Sequence, residues 1–393
     1  METLISVERA LNLIDSNIQP MTEVWCPIHQ AHGMVLAEDV ISPVNMPHFT
    51  QSNMDGYAFA YSEDRSEYTV VGEIAAGAHP TITLEKNQAV RIFTGAPLPA
   101  GADTVLIQEK ATLASNRLII GDGRPGKGDH VRHIGQDIQA GMRALPKGAF
   151  LNPASIGLLA AMGIHDIKVI PRPRVGIMVT GNELQMTGGT LQPGKIFESN
   201  SYMLQAALQE MHITSKVVHA GDHPGQISEM LRQLLDESDM VMITGGVSVG
   251  DYDFTLEACE KCDVAIFFHK IRQKPGKPLL FGMQGNKPVF GLPGNPGSSL
   301  TCFYAYGCKA IEKLTCKKKT VQQITAPLAH NYSKPAGMTH LLRAFYDGKE
   351  VRLSSGQESF KLATYTASNC IAVLPENECE ITSGTLIDVY VIP

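Results

Sequence analysis

TGGVSVGDYD, from Thr244 to Asp253, follows directly on the apolar run Met240–Ile243. A short apolar run of this kind reads as a buried strand, and the glycine pair after it breaks the strand. The loop then carries a hydroxyl, Ser248, and two carboxylates, Asp251 and Asp253, before a helical pattern resumes at Phe254. In an open parallel sheet such a loop opens onto the crevice beyond the carboxyl ends of the strands, where ligands bind. Glycine, hydroxyl and acid crowded at one strand tip suit a phosphate together with a hard cation.

Around this string the segments alternate in type. Val175–Val179 and Lys216–His219 read as strands, Ser201–Met211 and Gln226–Leu235 as helices, and Phe254–Glu260 as a short helix. Val264–Phe268, Pro278–Phe281 and Pro288–Phe290 are extended, and Ser298–Leu314 reads as a closing helix. The alternation predicts a doubly wound α/β domain, with a parallel sheet covered on both faces. Upstream, from about Pro43 to Ile138, short runs such as YTVVGEI, QAVRIFTG and RLIIGDG are punctuated by Gly and Pro and predict a β-rich domain. Residues 152–163, NPASIGLLAAMG, predict a helix with Asn152 as cap, Pro153 in the first turn and Gly163 at the end. The N-terminal stretch predicts an amphipathic helix with Ser6 as cap and Val7, Ala10, Leu11, Ile14 and Ile18 on one stripe. From about Lys319 strand patterns return, predicting a small β domain.

Composition narrows the function classes. A chain of 393 residues holds roughly two to three domains. With 33 basic against 39 acidic residues and a net charge of −6, a general nucleic-acid surface is excluded. No apolar stretch approaches the roughly 20 residues that span a bilayer, and METLISVERALNLID lacks the layout of a secretory signal. Eight cysteines are too few for a disulfide scaffold, and Cys259 and Cys262 form the only CxxC, so reduced thiols in a cytoplasmic protein are expected.

Three strand ends carry unusual loops: TGNEL (Thr180–Leu184), TGGVSVGDYD, and LPGNPGSS (Leu292–Ser299). Parallel strands would bring all three to one edge, placing Glu183, Ser248, Asp251, Asp253, Asn295 and Ser298 around one crevice. Free N–H groups at the following helix starts favour phosphate. Carboxylates repel phosphate, so a hard divalent cation, Mg²⁺, is expected between them, with Glu183, Asp251 and Asp253 as its ligands. HKIRQKPGKP (His269–Pro278) adds Lys270, Arg272, Lys274 and Lys277. Each string also has a plainer reading: a solvated basic edge, a helix cap at Asp253, a cap and first turn at Asn295–Pro296. Their convergence on one edge is what favours a site.

Two motif matches mislead. Gly246–Gly250 fits the GxSxG elbow of hydrolases, but a second glycine precedes it and Gly-Asp-Tyr-Asp delays the helix. Gly121–Gly126 fits GxGxxG, but Gly128 stands where a phosphate loop needs Ser or Thr and no helix pattern follows, so it reads as a turn. SNMDGYA (Ser52–Ala58), FTGAPLPAGAD (Phe93–Asp103) and VRHIGQDIQAG (Val131–Gly141) read, from local rules alone, as turns.

Taken together, SNMDGYA, FTGAPLPAGAD, GQDI, TGNEL, the SN of FESN, TGGVSVGDYD, KPGKP and LPGNP resemble, in order and spacing, the molybdopterin molybdenumtransferase family (MoeA and the gephyrin E domain) across almost the whole chain. The resemblance implies an elongated homodimer whose subunit has four parts: a helical linker region (1–42 with 139–172), a β-rich lid (43–138), a MoaB/MogA-like α/β domain (173–320) and a C-terminal β-barrel (321–393). It implies insertion of molybdate into the dithiolene of adenylylated molybdopterin, with Mg²⁺, releasing AMP and the finished cofactor. A transient contact with the molybdopterin adenylyltransferase follows from that chemistry. Carried over by position, the catalytic residues are Asp55, Thr94, Asp137, Glu183 and Asp253. The substrate-binding positions are Asp222, Ser248, Lys270, Lys274, Lys277, Pro293, Pro296, Ser298, Arg343 and Ser359. Asp55, Thr94 and Asp137 are implied to serve the neighbouring subunit's site. Lysine, arginine and hydroxyl groups suit the tetrahedral molybdate dianion.

The chain departs from the family pattern at Asn182, at Gln136, at Gly297 (usually valine), and at Met338 and His340 ahead of Arg343. Two rivals share parts of the pattern: a molybdopterin adenylyltransferase, which lacks SNMDGYA and FTGAPLPAGAD, and a non-catalytic scaffold of the same fold, which predicts eroded acids.

Overall fold

The computed structural model describes every residue except 3, 80, 246–253, 318–319 and 393. Helix α1 (Val7–Asn17) is capped by Ser6, whose hydroxyl accepts the Arg9 amide at 3.1 Å, and buries Val7, Ala10, Leu13 and Ile14. In α2 (Pro153–Ala161) the Asn152 side chain accepts the Ser155 amide at 2.8 Å, as its cap pattern requires. Strands Val24–Pro27 and Val35–Leu36 flank Asp166–Ile170 in an antiparallel sheet, tying the N-terminal segment to the stretch after α2.

Between these pieces lies a six-stranded sheet of β1 (Gly56–Phe59), β2 (Glu67–Ile74), β3 (Gln88–Ile92), β4 (Thr104–Ile107), β5 (Ala111–Ala114) and β6 (Arg117–Ile120), ordered β4-β1-β3-β2-β6-β5. It carries small cores on two faces, one around Phe59 and Tyr68, the other around Val90 and Ile92.

The central sheet contains β7 (Val175–Thr180), β8 (Ser215–Ala220), β9 (Met240–Thr244) and β10 (Ala265–Lys270). After the two-residue β11 (Gln273–Lys274), which joins a different sheet, come β12 (Pro278–Gln284) and β13 (Lys287–Leu292). The order is β8-β7-β9-β13-β12-β10. Every residue of β7 and β9 is buried, which explains their unbroken apolar sequence. The expectation of an all-parallel sheet needs one correction: β12 runs antiparallel to both β13 and β10. Gln284 pairs with Lys287 across a two-residue turn in which Gly285 has φ +57°. So short a link makes a hairpin and cannot make a parallel crossover.

Helices α3 (Asn200–Glu210), α6 (Pro296–Cys302) and α7 (Cys308–Thr315) pack with α1 on one face, while α4 (Pro224–Glu237) and α5 (Phe254–Lys261) cover the other. The expected closing helix is interrupted by a π-helical stretch at Phe303–Gly307 between α6 and α7. The C-terminal sheet consists of β14 (Gln322–Pro327), β15 (Thr339–Tyr346), β16 (Val351–Leu353), β17 (Cys370–Leu374) and β18 (Leu386–Val391), in the order β11-β15-β17-β18-β14 with β16 beside β15. It has a core of its own, yet Leu341, Ile371, Tyr390 and Ile392 join the core beneath the central sheet. Among the described residues no helix is long and apolar enough to cross a membrane.

Candidate functional site

The parallel strands β7, β9 and β13 end together. Val179 is level with Thr244, and Thr244 with Leu292, so the loops after all three leave the sheet on one rim. At the far side Lys270, the last residue of β10, pairs with Pro278, the first of β12. The loop 271–277 therefore stands on the same rim. Ser248, Asp251 and Asp253 lie outside the described residues.

The loop after β7 folds back tightly. Gly181 has φ +145°, and a Cβ there would lie 2.7 and 2.8 Å from the carboxylate oxygens of Glu183. Asp222, in the loop after β8, accepts the Asn182 amide at 2.9 Å, while Asn182 Oδ1 accepts the Asp222 amide at 3.3 Å. Lys195 donates to the Asn182 carbonyl. Glu183 and Asp222 thus line one end of the rim.

At the centre, the first glycine of TGG is demanded by geometry. Gly245 has φ +86°, and a Cβ would lie 2.0 Å from the Thr180 carbonyl oxygen. A Cβ on Gly294 would lie 3.7 Å from the Gly245 Cα, so the two loops pass backbone to backbone. Asn200 Nδ2 donates to Thr244 Oγ1 at 2.7 Å and to the Gly294 carbonyl at 2.8 Å.

The lysine loop is anchored from below. Gln273 is fully buried; its Nε2 donates to the Gly276 carbonyl at 2.9 Å and to Cys302 Sγ at 3.4 Å, and the Tyr306 hydroxyl donates to its Oε1. Burial pushes the Cys302 thiol up to about 12 and keeps it protonated. Gln273 and Lys274 pair in parallel with Thr339 and His340, so the loop is also a strand of the C-terminal sheet.

Between rim and C-terminal sheet lies a cavity of about 590 Å³, lined among others by Lys274, Lys277, Asn295, Ser298, His340 and Ser359. Lys274 and Lys277 are exposed, and Lys270 is half-buried. His340 is held neutral: burial first, then Lys334 and Lys274, depress its pKa to about 4. Glu358, also on the wall, is bonded to Lys361 at 2.9 Å, which lowers its pKa. The cavity offers cationic and hydroxyl groups to an anion.

Asn295 occupies the cap position of α6, but its side chain makes no cap bond and donates instead to Ser359 Oγ at 2.8 Å. Pro293 lines the cavity and Pro296 begins α6. Arg343 differs from the role its position implies. It is 1 % exposed, and its guanidinium donates to the carbonyls of Lys361 (2.8 Å), Gly356 (3.0 Å) and Glu358 (3.1 Å) and lies over the Tyr365 ring. It stands behind the wall, holding the loop that presents Ser359. Gly297 also has its reason here, because a Cβ would lie 2.7 Å from both Arg343 Nη1 and the Ser359 carbonyl oxygen.

The N-terminal sheet carries a second cluster. Asp55 Oδ1 accepts from the Thr94 amide at 2.8 Å and from the Thr94 hydroxyl at 2.7 Å, which holds the carboxyl below its ordinary pKa. Arg91 donates to the Gly56 carbonyl at 3.0 Å and lies over the Phe93 ring, bracing the same turn. Asp137 is on the neighbouring loop, where its amide bonds the Met46 carbonyl at 2.9 Å. Among the described residues no hydrogen bond or ion pair joins Asp55, Thr94 or Asp137 to the rim of the central sheet.

Among the described residues no three His, Cys, Asp or Glu side chains converge on a point. Glu183 and Asp222 are oxygen donors of the kind that could serve a Mg²⁺, which takes one or two carboxylates and completes its shell with water and phosphate. Asn200, Gln273 and Arg91 were not singled out by residue chemistry. An amide and a guanidinium show no preference in sequence for the carbonyls they reach, and only the SN of FESN hinted at Asn200.

Residues 5–163 match the family model for the MoeA N-terminal region (domain I and II), residues 176–313 that for a probable molybdopterin binding domain, and residues 325–392 that for the MoeA C-terminal region (domain IV). A molybdopterin molybdenumtransferase of Haemophilus influenzae is 35% identical, with 94% of each chain covered. Molybdopterin molybdenumtransferase 2 of Mycobacterium tuberculosis is 32% identical over 98% of this chain and 99% of its own. A solved structure of a molybdopterin biosynthesis MoeA protein from Pyrococcus horikoshii superposes with a TM-score of 0.81 at 27% identity, covering 99% of this chain and 100% of that one.

Proposed function

The chain belongs to the molybdopterin molybdenumtransferase family, and from that membership we propose how its residues divide the work. It is a transferase of molybdenum cofactor biosynthesis that inserts molybdenum into molybdopterin. The finer reading is that molybdate enters the dithiolene of adenylylated molybdopterin and AMP leaves. The observation that carries it is the common rim: three glycine-containing strand ends, a lysine loop and a hydroxyl-lined cavity open on one edge.

In this reading Lys274, Lys277, Ser298 and Ser359 hold the molybdate oxyanion, the lysines by charge and the serines by hydroxyl donors. Lys270 faces the phosphate. The loops 181–183 and 292–298 cradle the adenylate, with Pro293 and Pro296 shaping the second of these turns, and Ser248 contributes a hydroxyl. Glu183, Asp251 and Asp253 would hold Mg²⁺, with Asp222 binding substrate, and the ion when bound neutralises phosphate oxygens and polarises the bond that releases AMP. The sheet that carries Asp55, Thr94 and Asp137 acts as a lid for the other subunit of a homodimer. The four parts fall at 1–42 with 139–172, 43–138, 173–320 and 321–393. The exposed apolar side chains Trp25, Ile41, Met142 and Phe150 of the first part support an interface there. A cytoplasmic setting and a transient encounter with the adenylyltransferase that supplies the substrate complete the proposal.

The test combines purified protein, adenylylated molybdopterin, molybdate and Mg²⁺, and follows AMP release and cofactor formation. Glu183→Ala should lower both outputs by about a hundredfold or more without altering the oligomer, as expected for a lost charge-stabilising group. Wild-type turnover in that variant would remove Glu183 from the mechanism. A wild-type protein that forms pyrophosphate from ATP and molybdopterin, and no AMP from the adenylylated form, would favour the adenylyltransferase reading.

A further inference from the structure

We propose that Asn200 is a positioning residue for metal insertion, its amide clamping the end of β9 to the loop after β13. The inference deepens the molybdenumtransferase reading and rests on it for the chemistry that the clamp serves.

The start of α3 is itself fixed. The buried Glu198 carboxylate accepts the Ser201 amide at 2.8 Å and the Ser201 hydroxyl at 2.5 Å, satisfying the first turn. Asn200, the first residue of the helix, is 9 % exposed and leaves the helix toward the sheet. One nitrogen then reaches both the end of β9 and the loop after β13: Nδ2 bonds Thr244 Oγ1 at 2.7 Å and the Gly294 carbonyl at 2.8 Å. A backbone carbonyl only accepts, so the amide orientation is settled by chemistry. At this point no side chain separates the two segments, because Gly245 meets Gly294 backbone to backbone. From below, this amide bonds both of them.

The other end of the side chain sharpens the point. Asn200 Oδ1 is buried and, among the described residues, has no hydrogen-bond partner. An orphaned acceptor destabilises a fold, and an apolar residue of the same volume would avoid it. Serine or threonine would supply a single donor. What asparagine alone brings at this reach is two donors on one atom, and both go to strand ends that face the substrate.

The test compares wild type, Asn200→Ala, Thr244→Val and the double variant as full-length proteins. Steady-state turnover of adenylylated molybdopterin at saturating molybdate gives kcat and KM, and hydrogen exchange of peptides covering 244–245 and 292–295 reports the loops. Asn200→Ala should raise KM about tenfold or more while kcat changes by less than about threefold, the mark of lost binding geometry. Exchange should rise in both peptides together. Thr244→Val should give a smaller increase, and the double variant should match Asn200→Ala alone, because both changes remove one shared interaction. An unchanged KM with only a lower melting temperature, faster exchange in one peptide alone, or additive effects would overturn the clamp. If Asn200→Ala does not fold, Thr244→Val decides by whether the 292–295 peptide, which it does not alter, exchanges faster. A wild-type protein that releases no AMP would defeat the functional reading, while the exchange data would still decide the clamp.

Discussion

At the scale of single residues, His340 gives the clearest electrostatic consequence. Its ring is buried on the cavity wall, its Nδ1 lies 3.3 Å from the Tyr332 hydroxyl, and Lys334 and Lys274 oppose its charge. The folded pKa of about 4 lies below the ordinary 6.5, so the unfolded chain binds a proton that the folded chain refuses. Stability from this residue is complete above pH 6.5 and is lost as pH falls toward 4. The loss amounts to at most about 3 kcal/mol. In wild type the unfolding free energy should fall across that window, and His340→Gln should flatten the slope. Chemical denaturation at pH 7, 6, 5 and 4.5 checks it, and parallel slopes would contradict it. Residue type was legible here and environment was not. Sequence supplied a histidine and an arginine, but His340 beside two lysines and Arg343 on three loop carbonyls depend on contacts that no local pattern encodes.

At the scale of elements, what could be read was what leaves a one-dimensional trace. Val175–Val179 and Met240–Ile243 are buried along their whole length and appear as unbroken apolar runs. The capped starts of α1 and α2 were legible for the same reason. The direction of β12 was not, because a strand covered on both faces shows no alternation, and the hairpin reveals itself only through Gly285–Asn286. Nor does sequence show that α6 and the C-terminal sheet share a surface at Gly297. That contact predicts that Gly297→Val, which restores the residue usual in the family, is harmful in this chain. The added side chain must displace Arg343 or the backbone at Ser359, an overpacking that destabilises by about 1–3 kcal/mol. Denaturant unfolding should show the loss, and the KM for molybdate should rise as Ser359 leaves Asn295. A stable variant with an unchanged KM would show that the loop gives way freely.

At the scale of the whole molecule, the rim and the Asp55–Thr94 pair belong to different parts of the chain with no described bond between them. If each catalytic centre borrows the lid of the second subunit, two inactive variants should rescue one another. Asp55→Ala and Glu183→Ala, unfolded together and refolded as a mixture, form mixed dimers in half of the cases, each with one intact centre. About a quarter of wild-type AMP release should return, as two-fold symmetry dictates. A mixture as inactive as its components would place both residues at one centre within a single chain, or outside the reaction.

Gln273 and Lys274 are stitched into the C-terminal sheet, although the chain on either side of them serves the central one. The terminal module therefore shares a strand with the lysine loop, so any displacement of that sheet would carry Lys274 with it. A polypeptide cut short before Gln322 would lose the Thr339 and His340 partners of this loop, and faster hydrogen exchange at 271–277 should report it.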